Sequence, residues 1–289
     1  MKSALQLERI LKICGSTFLE IFNTFIINMK SKDKNHGKNE ERTAKYLETF
    51  SREKTIKMLI NNNEPIIFDV GANNGSSLDE FKEWWPNSHV HCFEPQDECM
   101  GELNESADSF VGSGSVYVNH IAVGNKSNEK IKFYTHDINS GVSGFNKINM
   151  DSKDSLDLNN LSKENEAKKK EYEKSLNHVR EVSTLRLDDY IANHHTKIDS
   201  INLLKIDTQG FEPEVLEGFG DKLNHVDVVL TELMFYDYYE RSLSFSDIEK
   251  YLHKANFQLY DISHIAKNPM NGRTDWVDVI YVNKRLLET

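Results

Sequence analysis

The stretch IIFDVGANNGSSLDEFKEWWPNSHVHCFEP, residues 66–95, decides the fold of this chain. An apolar run of strand length leads into a glycine turn, a helical pattern follows, and a second apolar run ends on an acid. A continuous apolar run of this length is typical of a strand buried on both faces of a parallel sheet. The stretch therefore has the outline of a strand–helix–strand unit that binds a nucleotide.

Strand and helix patterns alternate along the rest of the chain. Further strands are predicted at 115–124, 201–207, 226–235, 258–263 and 276–282, and further helices at 96–108, 212–219 and 244–257. Residues 129–145 are expected to form an antiparallel excursion, and Ser76 or Ser77 is expected to cap the first helix. This alternation predicts an α/β fold with a doubly wound, mostly parallel sheet and helices on both faces.

Composition limits the function classes. At 289 residues the chain can bury a substantial core, and its formal net charge of −11 argues against binding by phosphate neutralisation. We therefore expect no nucleic acid partner. The three cysteines are odd in number and lack a C-x-x-C spacing, which indicates reduced thiols and a cytoplasmic location.

The first part of the chain differs from the alternating region. We interpret residues 1–50 as a helical extension with a polar linker at 31–45, and residues 51–289 as the main domain. The apolar segment 13–29 is interrupted by Glu20 and is too short to span a bilayer comfortably, so no transmembrane segment is expected. It is predicted to be a helix that packs on the domain or on a second copy in a homo-oligomer. The alternative is a membrane-peripheral helix.

A charged, apolar-poor segment at 151–178 interrupts the main domain. We interpret it as a surface insertion that is helical in its second half. A solvated helix without a further role is one interpretation, and a mobile lid over the site is the other.

The glycine turn indicates what kind of ligand the fold binds. In an open α/β sheet the ligand lies at the carboxyl ends of the strands, where Asp69, Gly71 and Gly75 are expected. Gly71 permits the tight turn, and Gly75 lets the helix pack closely. Asn73 stands where a dinucleotide site has a glycine for the pyrophosphate, and it tolerates a left-handed backbone while keeping a side chain. The turn therefore suits a ligand without a pyrophosphate.

Glu94 gives the second indication. It ends the second predicted strand, 25 residues after Asp69, in the position where a carboxylate accepts both ribose hydroxyls. An adenosyl group without a pyrophosphate fits this combination, and S-adenosylmethionine (SAM) is such a ligand. Its amine is expected to pair with Asp69, and its carboxylate is expected to meet backbone amides at the start of the helix.

Four ordered blocks, FDVGANNG, HCFEP, IAVGN and LLKIDTQGFEPEVLEG, resemble the FkbM family of SAM-dependent methyltransferases over roughly residues 60–285. The resemblance implies a seven-stranded sheet whose last strand is antiparallel. It also implies methyl transfer, usually to a hydroxyl oxygen and often on a sugar or a secondary metabolite. The expected acceptor is therefore a hydroxyl of a small molecule, a glycan or a glycolipid. By resemblance, Asp207 is the acid beside the methionine end of the cofactor.

A set of candidate site residues follows from these arguments. Cofactor contacts are predicted at Asp69, Gly71, Asn73, Asn74, Gly75, Glu94, Pro95, His120, Ala122, Ser143 and Asp207. A hydroxyl acceptor must also lose a proton, which requires a His, Asp or Glu within hydrogen-bond reach. Asp207 and Glu232, each at the end of a predicted strand, are the candidate catalytic acids. Together with Gln209 they have the oxygen ligands that suit a divalent metal, but no metal is predicted.

Two other function classes stay open. An NAD-dependent oxidoreductase or nucleotide-sugar enzyme would use a related fold, although the absence of G-x-G and the presence of Asn73 count against it. A non-catalytic protein that keeps the fold would bind a partner through the N-terminal helix or the insertion. The set of Asp69, Glu94 and Asp207 counts against that interpretation.

Overall fold

The structure is a computed structural model that describes residues 39–137, 139–153, 155, 166–194, 197–269 and 271–288. The chain divides into two compact units between Ser51 and Arg52. Residues 39–49 are helical, so the last part of the segment predicted as a linker is helix instead. The apolar helix predicted at 13–29, and the homo-oligomer contact through it, lie outside the described residues.

A seven-stranded sheet forms the centre of the unit that begins at Arg52. The strands of this unit, in chain order, are β1 (Ile66–Val70), β2 (His89–Phe93), β3 (Ser115–Asn119), β4 (Ala122–Val123), β5 (Lys130–Thr135), β6 (His178–Leu185), β7 (Ile201–Ile206), β8 (Val226–Met234), β9 (Phe257–Lys267) and β10 (Thr274–Asn283). The sheet has the order β3-β2-β1-β7-β8-β10-β9. Strands β3, β2, β1, β7 and β8 are parallel, and β10 runs antiparallel to both of its neighbours. This confirms the predicted doubly wound α/β fold with an antiparallel last strand.

A second, three-stranded sheet has the order β4-β6-β5. Strand β5 lies in the predicted excursion at 129–145, but its antiparallel partner β6 comes from residues beyond it. The prediction of one continuous strand over 115–124 is wrong, because β3 ends at Asn119 and β4 belongs to this second sheet. The Asn119 side-chain amide bonds to the carbonyls of Tyr117 and Cys92, and Ile121 N donates to Asn119 O at 2.9 Å. These bonds turn the chain out of the first sheet.

Helices cover both faces of the large sheet. The helices of this unit are α1 (Arg52–Leu59), α2 (Ser76–Trp84), α3 (Met100–Ser109), α4 (Glu166–Lys174), α5 (Leu187–Asn193), α6 (Glu212–Gly218) and α7 (Phe245–Lys254), with short 3₁₀ helices at Asp97–Cys99, Ser140–Val142, Gly220–His225 and Lys284–Leu286. One hydrophobic cluster joins the sheet to α5, α6 and α7, and the other joins it to α1, α2 and α3. Because strand side chains alternate between faces, Phe68 lies in the first cluster and Ile67 in the second.

The same alternation places polar side chains on the face covered by α1 and α2. Leu203 of β7, Leu230 of β8 and Ile280 of β10 lie in the cluster on that face. Lys205 and Glu232, each two residues further along its strand, therefore point to the same face. Two residues before Ile280 in β10, Asp278 does so too. The carboxyl ends of the central strands thus carry a group of charged side chains under α1 and α2.

The charged insertion is described only in part. Helix α4 lies in its second half, as predicted, whereas residues 154 and 156–165 lie outside the described residues. The lid role therefore stays a prediction. Of the helices in the described ranges, none combines the length and the apolar character that a bilayer crossing requires.

Candidate active site

A glycine turn joins β1 to α2 at the carboxyl end of the sheet. Gly71 has a φ of 82°, and a Cβ atom at this position would lie 1.9 Å from the carbonyl oxygen of Asp207. The turn is held to β2, because the Gly71 and Ala72 amides both donate to the carbonyl of Phe93, at 3.0 and 3.1 Å. The end of β7 can therefore approach the turn closely only because residue 71 has no side chain.

A cavity of about 510 Å³, including space open to solvent, lies beside this turn. We call it the glycine-turn cavity. Seven of the predicted contact residues line it: Gly71, Asn73, Glu94, Pro95, Ala122, Ser143 and Asp207. Ser143 is buried, and its hydroxyl has no hydrogen-bond partner in the part of the chain that the structure describes. A buried hydroxyl in this state is a ready contact for a polar ligand atom.

Glu94 forms the polar wall of the glycine-turn cavity. Its carboxylate accepts hydrogen bonds from the backbone amides of Asn73, at 2.8 Å, and Gln96, at 2.9 Å. Burial raises the pKa of Glu94, and these two hydrogen bonds oppose that shift. Asn73 reaches this position in the left-handed conformation, with a φ of 48°. The left-handed turn therefore fixes the direction in which the carboxylate faces the cavity.

Asp69 does not line the cavity, so the prediction that it contacts the ligand is not supported. Its side chain is fully buried in the sheet and lies 3.1 Å from the Lys205 ammonium. Lys205 also donates to the carbonyl of Gly71 at 2.8 Å and lies 3.7 Å from the Asp207 carboxylate. Although burial lowers the pKa of Lys205, the Asp69 and Asp207 carboxylates outweigh it and raise that pKa above its ordinary value. Asp69 thus acts through Lys205 on the turn.

Three other predicted contacts also lie away from the cavity. Asn74 accepts hydrogen bonds from the Ser76 hydroxyl, at 2.8 Å, and amide, at 3.4 Å, and so supports the start of α2. The predicted cap by Ser76 or Ser77 is therefore wrong. Gly75 has a φ of 96° and packs against α3, as close helix packing requires. His120 is half-exposed and lies 3.2 Å from Asp97.

A hydrogen-bonded chain of side chains holds Asp207. The Gln209 amide donates to the Asp207 carboxylate at 2.7 Å, and the Tyr239 hydroxyl lies 2.7 Å from the Gln209 side-chain oxygen and 2.9 Å from the Val142 carbonyl. Gln209 adopts a left-handed conformation with a φ of 55°. These hydrogen bonds connect the end of β7 to the segment after β8. The sequence does not predict this connection, because Tyr239 lies in a run of similar aromatic residues.

The turn after β7 has a second support that the sequence reasoning missed. The buried Glu212 carboxylate accepts hydrogen bonds from the amides of Thr208, at 3.0 Å, and Gly210, at 3.2 Å. Asp207 does not cap the following helix, because α6 begins after Phe211 without a side-chain cap. An acid two residues after the glycine in the TQGFE block was the available signal for this arrangement.

Glu232 lies opposite a second carboxylate. In the antiparallel pairing of β8 with β10, Glu232 is directly across from Asp278. Burial, followed by the charges of Asp207 and Asp278, raises the pKa of Glu232 to about 8. Arg52 of α1 lies 3.3 Å from Asp278 and also pairs with Glu80 of α2. Like charges directly across a ladder are destabilising, so the position opposite Asp278 favours the protonated form of Glu232.

Two further cavities adjoin this carboxylate. We call the first the polar cavity, and its volume is about 890 Å³, including space open to solvent. Its lining consists of Arg52, Ser77, Glu80, Phe81, Lys205, Ile206, Asp207, Leu230, Thr231, Glu232, His264, Trp276 and Asp278. We call the second the tyrosine cavity, which Glu232, Tyr236 and Tyr239 line together with Met234 and Leu243. In the described ranges, no three or more His, Cys, Asp or Glu side chains are grouped to hold a metal ion.

A sheet of this order, with a glycine turn after β1 and an acid after β2, is typical of α/β proteins that bind nucleosides. The chain belongs to the FkbM methyltransferase family, because the family described as "Methyltransferase FkbM domain" matches residues 69–259. The "2-O-methyltransferase NoeI" of Sinorhizobium fredii is 25% identical over 189 residues, which cover 65% of this chain and 71% of that protein. Membership of this family supports SAM-dependent methyl transfer as the general activity.

Solved structures with a related fold are more distant. The methyltransferase FkbM from Methylobacillus flagellatus KT is 14% identical with a TM-score of 0.46, over 76% of this chain. The matched part spans less than half of that protein, 44% of its chain. Magnesium protoporphyrin IX methyltransferase from Synechocystis PCC 6803, solved with bound SAM, is 8% identical with a TM-score of 0.41, over 80% of this chain and 79% of that one.

Proposed function

We propose that this protein binds SAM in the glycine-turn cavity and transfers its methyl group to a hydroxyl oxygen of a small-molecule or glycan acceptor. The observation that carries the proposal is the Glu94 carboxylate, which is held by two backbone amides at the end of β2 and faces the cavity. Each carboxylate oxygen has a further lone pair, so Glu94 can also accept the two ribose hydroxyls of an adenosyl group.

The other cavity residues fit the remaining parts of SAM. The buried Ser143 hydroxyl lacks a partner among the described residues and can bond to a polar atom of the ligand. Phe133 and Ala122 form an apolar wall suited to an adenine ring. Asp207 lines the cavity, whereas Asp69 is buried in the sheet, so the Asp207 carboxylate is the one that would meet the methionine amine. The fit therefore uses Asp207 for the role first expected of Asp69.

SAM supplies a methyl group that is already activated by its sulfonium, so the chain's own residues align the acceptor and remove its proton. Asp207 is already engaged by Gln209 and Lys205. The Glu232 carboxylate, in contrast, has no hydrogen bond or ion pair to the described residues. A base near neutral pH needs a pKa near the working pH, and the pKa of Glu232 is raised to about 8. We therefore assign proton removal to Glu232 and positioning to Asp207.

The competing functions are less well supported. An NAD-dependent oxidoreductase needs room for a pyrophosphate, whereas the Asn73 side chain accepts hydrogen bonds from Asn74 and Ser140 across the turn. A non-catalytic role leaves the raised pKa of Glu232 without a purpose. The acidic net charge still argues against nucleic acid as the acceptor. A cytoplasmic location is part of the proposal, and the buried free thiols of Cys92 and Cys99 support it.

Calorimetric titration with SAM and S-adenosylhomocysteine (SAH), with NAD as a control ligand, tests the cofactor assignment. We expect SAM and SAH to bind and NAD to fail. Glu94→Ala should weaken SAH binding by about tenfold or more, because charge-assisted hydrogen bonds to the ribose are lost. Glu102→Ala, at an exposed position on α3, is the matched control and should bind normally. Preference for NAD, or equal SAH binding by Glu94→Ala with an unchanged melting curve, would refute the assignment.

A further inference from the structure

We infer that the polar cavity is the acceptor site and that it selects an uncharged or cationic polyhydroxyl compound, such as a sugar ring, over an anionic one. This inference rests on the proposed function, since it names the acceptor class of the same active site. It is carried by the position of the cavity, by the chemistry of its lining and by its charge.

The position of the polar cavity is the first argument. Asp207 lines both the glycine-turn cavity and the polar cavity, so the two meet at the end of β7. Among the described residues, none lines both the tyrosine cavity and the glycine-turn cavity. An acceptor must lie in line with the donor methyl group and close to it. Of these two neighbouring spaces, the polar cavity is therefore the one that brings an acceptor to the donor.

The lining of the polar cavity suits several adjacent hydroxyl groups. Glu80, Glu232 and Asp278 supply carboxyl oxygens, and Arg52 supplies a planar guanidinium. These groups can each bond to two neighbouring hydroxyls at once. Trp276 contributes an indole ring to the lining, and the apolar C–H face of a sugar packs well on such a ring. A polyhydroxyl ring therefore matches both the polar and the apolar part of the wall.

The Glu232 carboxylate is an independent sign of a missing ligand. It is half-buried and points into the polar cavity beside Leu230. It forms no hydrogen bond or ion pair with the described residues, although Asp278 lies directly across the ladder. The hydrogen-bonding capacity of this partly buried carboxyl group is therefore unused by the described residues, and a ligand hydroxyl in the polar cavity would use it.

The charges around the polar cavity decide which ligands it accepts. Arg52 is committed to Glu80 and Asp278, and Lys205 is committed to Asp69 and Asp207. These two cations thus face four carboxylates, so their positive charge is already balanced, while the remaining N–H groups of Arg52 can still donate to an uncharged hydroxyl. His264 lines the exposed side of the cavity. A carboxylate or phosphate on the ligand would lie among like charges without a compensating partner, whereas an uncharged hydroxyl or an amine would not.

Fluorine NMR of the SAH-loaded protein, labelled with 5-fluorotryptophan, provides the test. The chain has three tryptophans, and the buried Trp85 serves as the internal reference. The probes are the methyl glycosides of glucose, glucosamine and glucuronic acid, which differ in charge on a similar ring. We expect the first two to shift the Trp276 signal in the millimolar range, and the glucuronide to bind about tenfold more weakly or not at all.

A charge variant makes the test sharper. Glu80→Gln releases Arg52 from one ion-pair partner. It should reduce the ratio of the glucuronide and glucoside dissociation constants at least about threefold. Glu83→Gln removes the same charge from an exposed position on the same helix and should leave this ratio of dissociation constants unchanged. Retained SAH binding, measured by calorimetry, shows that each variant is folded.

The outcomes separate the two levels of the proposal. Absence of SAH binding to the unmodified protein refutes the proposed function itself. Normal SAH binding with no glycoside effect on Trp276, or with equal affinity for the glucuronide, overturns the inference about the polar cavity and leaves the cofactor assignment intact.

Discussion

At the scale of single residues, Gly71 shows how conformation and contact act together. Its left-handed φ of 82° alone favours glycine, but the stronger restriction is the Asp207 carbonyl, which would lie 1.9 Å from a Cβ atom at this position. Gly112 offers a natural comparison, because it has a similar φ of 88° and no atom within 4 Å of where its Cβ would lie. The two positions separate backbone strain from crowding.

Gly71→Ala should therefore lower the free energy of unfolding more than Gly112→Ala does. We expect about 1–2 kcal/mol for Gly112→Ala from left-handed strain alone, and about 3 kcal/mol or more for Gly71→Ala, because the end of β7 must also move. Urea unfolding measures both free energies, and calorimetry with SAH should show loss of binding only in Gly71→Ala. Equal losses of stability in the two variants would contradict a role for the close contact.

Asp69 and Asp207 show what a sequence can and cannot tell about a site. Both acids stand at the carboxyl end of an apolar run; this position predicts a ligand contact for Asp69, and the family resemblance implies one for Asp207. Asp69 still lies within β1, where it is paired in register with Cys92 and Lys205 and is buried. Asp207 comes one residue after β7 and reaches the cavity. A difference of two residues in position relative to the strand end decides between these roles, and sequence patterns do not resolve strand ends that finely.

At the scale of elements, the Asp69–Lys205 ion pair ties β1 to β7 beneath the glycine turn. The two strands are adjacent in the sheet but far apart in the chain. Sequence patterns predicted both strands, because their apolar runs are continuous. The partner of each charge could not be predicted, since it depends on the register between the strands.

Removing one partner of this pair should be more damaging than removing both. Lys205→Met leaves a buried carboxylate unpaired and should cost about 3–5 kcal/mol in the free energy of unfolding. Asp69→Leu combined with Lys205→Met should recover part of that loss, because no buried charge remains. Urea unfolding provides the measurement. Lys197→Met, which removes the exposed pair with Asp199, is the control and should change stability little. A double variant as unstable as Lys205→Met would rule out this account.

At the scale of the whole molecule, the doubly wound, mostly parallel sheet with helices on both faces followed from the sequence, and its antiparallel last strand followed from the family resemblance. The split of the third strand and the small second sheet did not, because Asn119 ends β3 through side-chain hydrogen bonds to the carbonyls of Cys92 in β2 and Tyr117 in β3. The polar cavity was also not predicted. Its charged side chains come from α1, α2 and the ends of four strands, and only the assembled sheet brings them together.

The raised pKa of Glu232 predicts a pH dependence for the whole fold. The pKa of Glu232 is raised from its ordinary value of 4.5 to about 8 in the folded protein. At pH values between these two, the folded state holds a proton on Glu232, whereas the unfolded chain does not. The stabilisation is therefore complete below the ordinary value and is lost as the pH rises through about 8. After allowance for solvent screening at this half-buried group, we expect the loss to be on the order of 2 kcal/mol.

Urea unfolding across this pH range measures the slope. Glu232→Gln should flatten it, because glutamine mimics the protonated acid at every pH. Glu105→Gln, at an exposed position on α3, should keep the slope of the unmodified protein. An unchanged slope in Glu232→Gln would mean that Glu232 titrates as it does in the unfolded chain.

The strand order also has a consequence for the sequence of events during synthesis. Strand β10 lies between β8 and β9, although it follows β9 in the chain. When β9 leaves the ribosome it therefore has no neighbour in the sheet, and it can join only after β10 has been made. His264, Trp276 and Asp278, which line the polar cavity, come from these two strands. In the part of the chain that the structure describes, the residues that line the glycine-turn cavity extend no further than Gln209. Translation thus supplies every residue of the donor side before it supplies the last wall of the acceptor side.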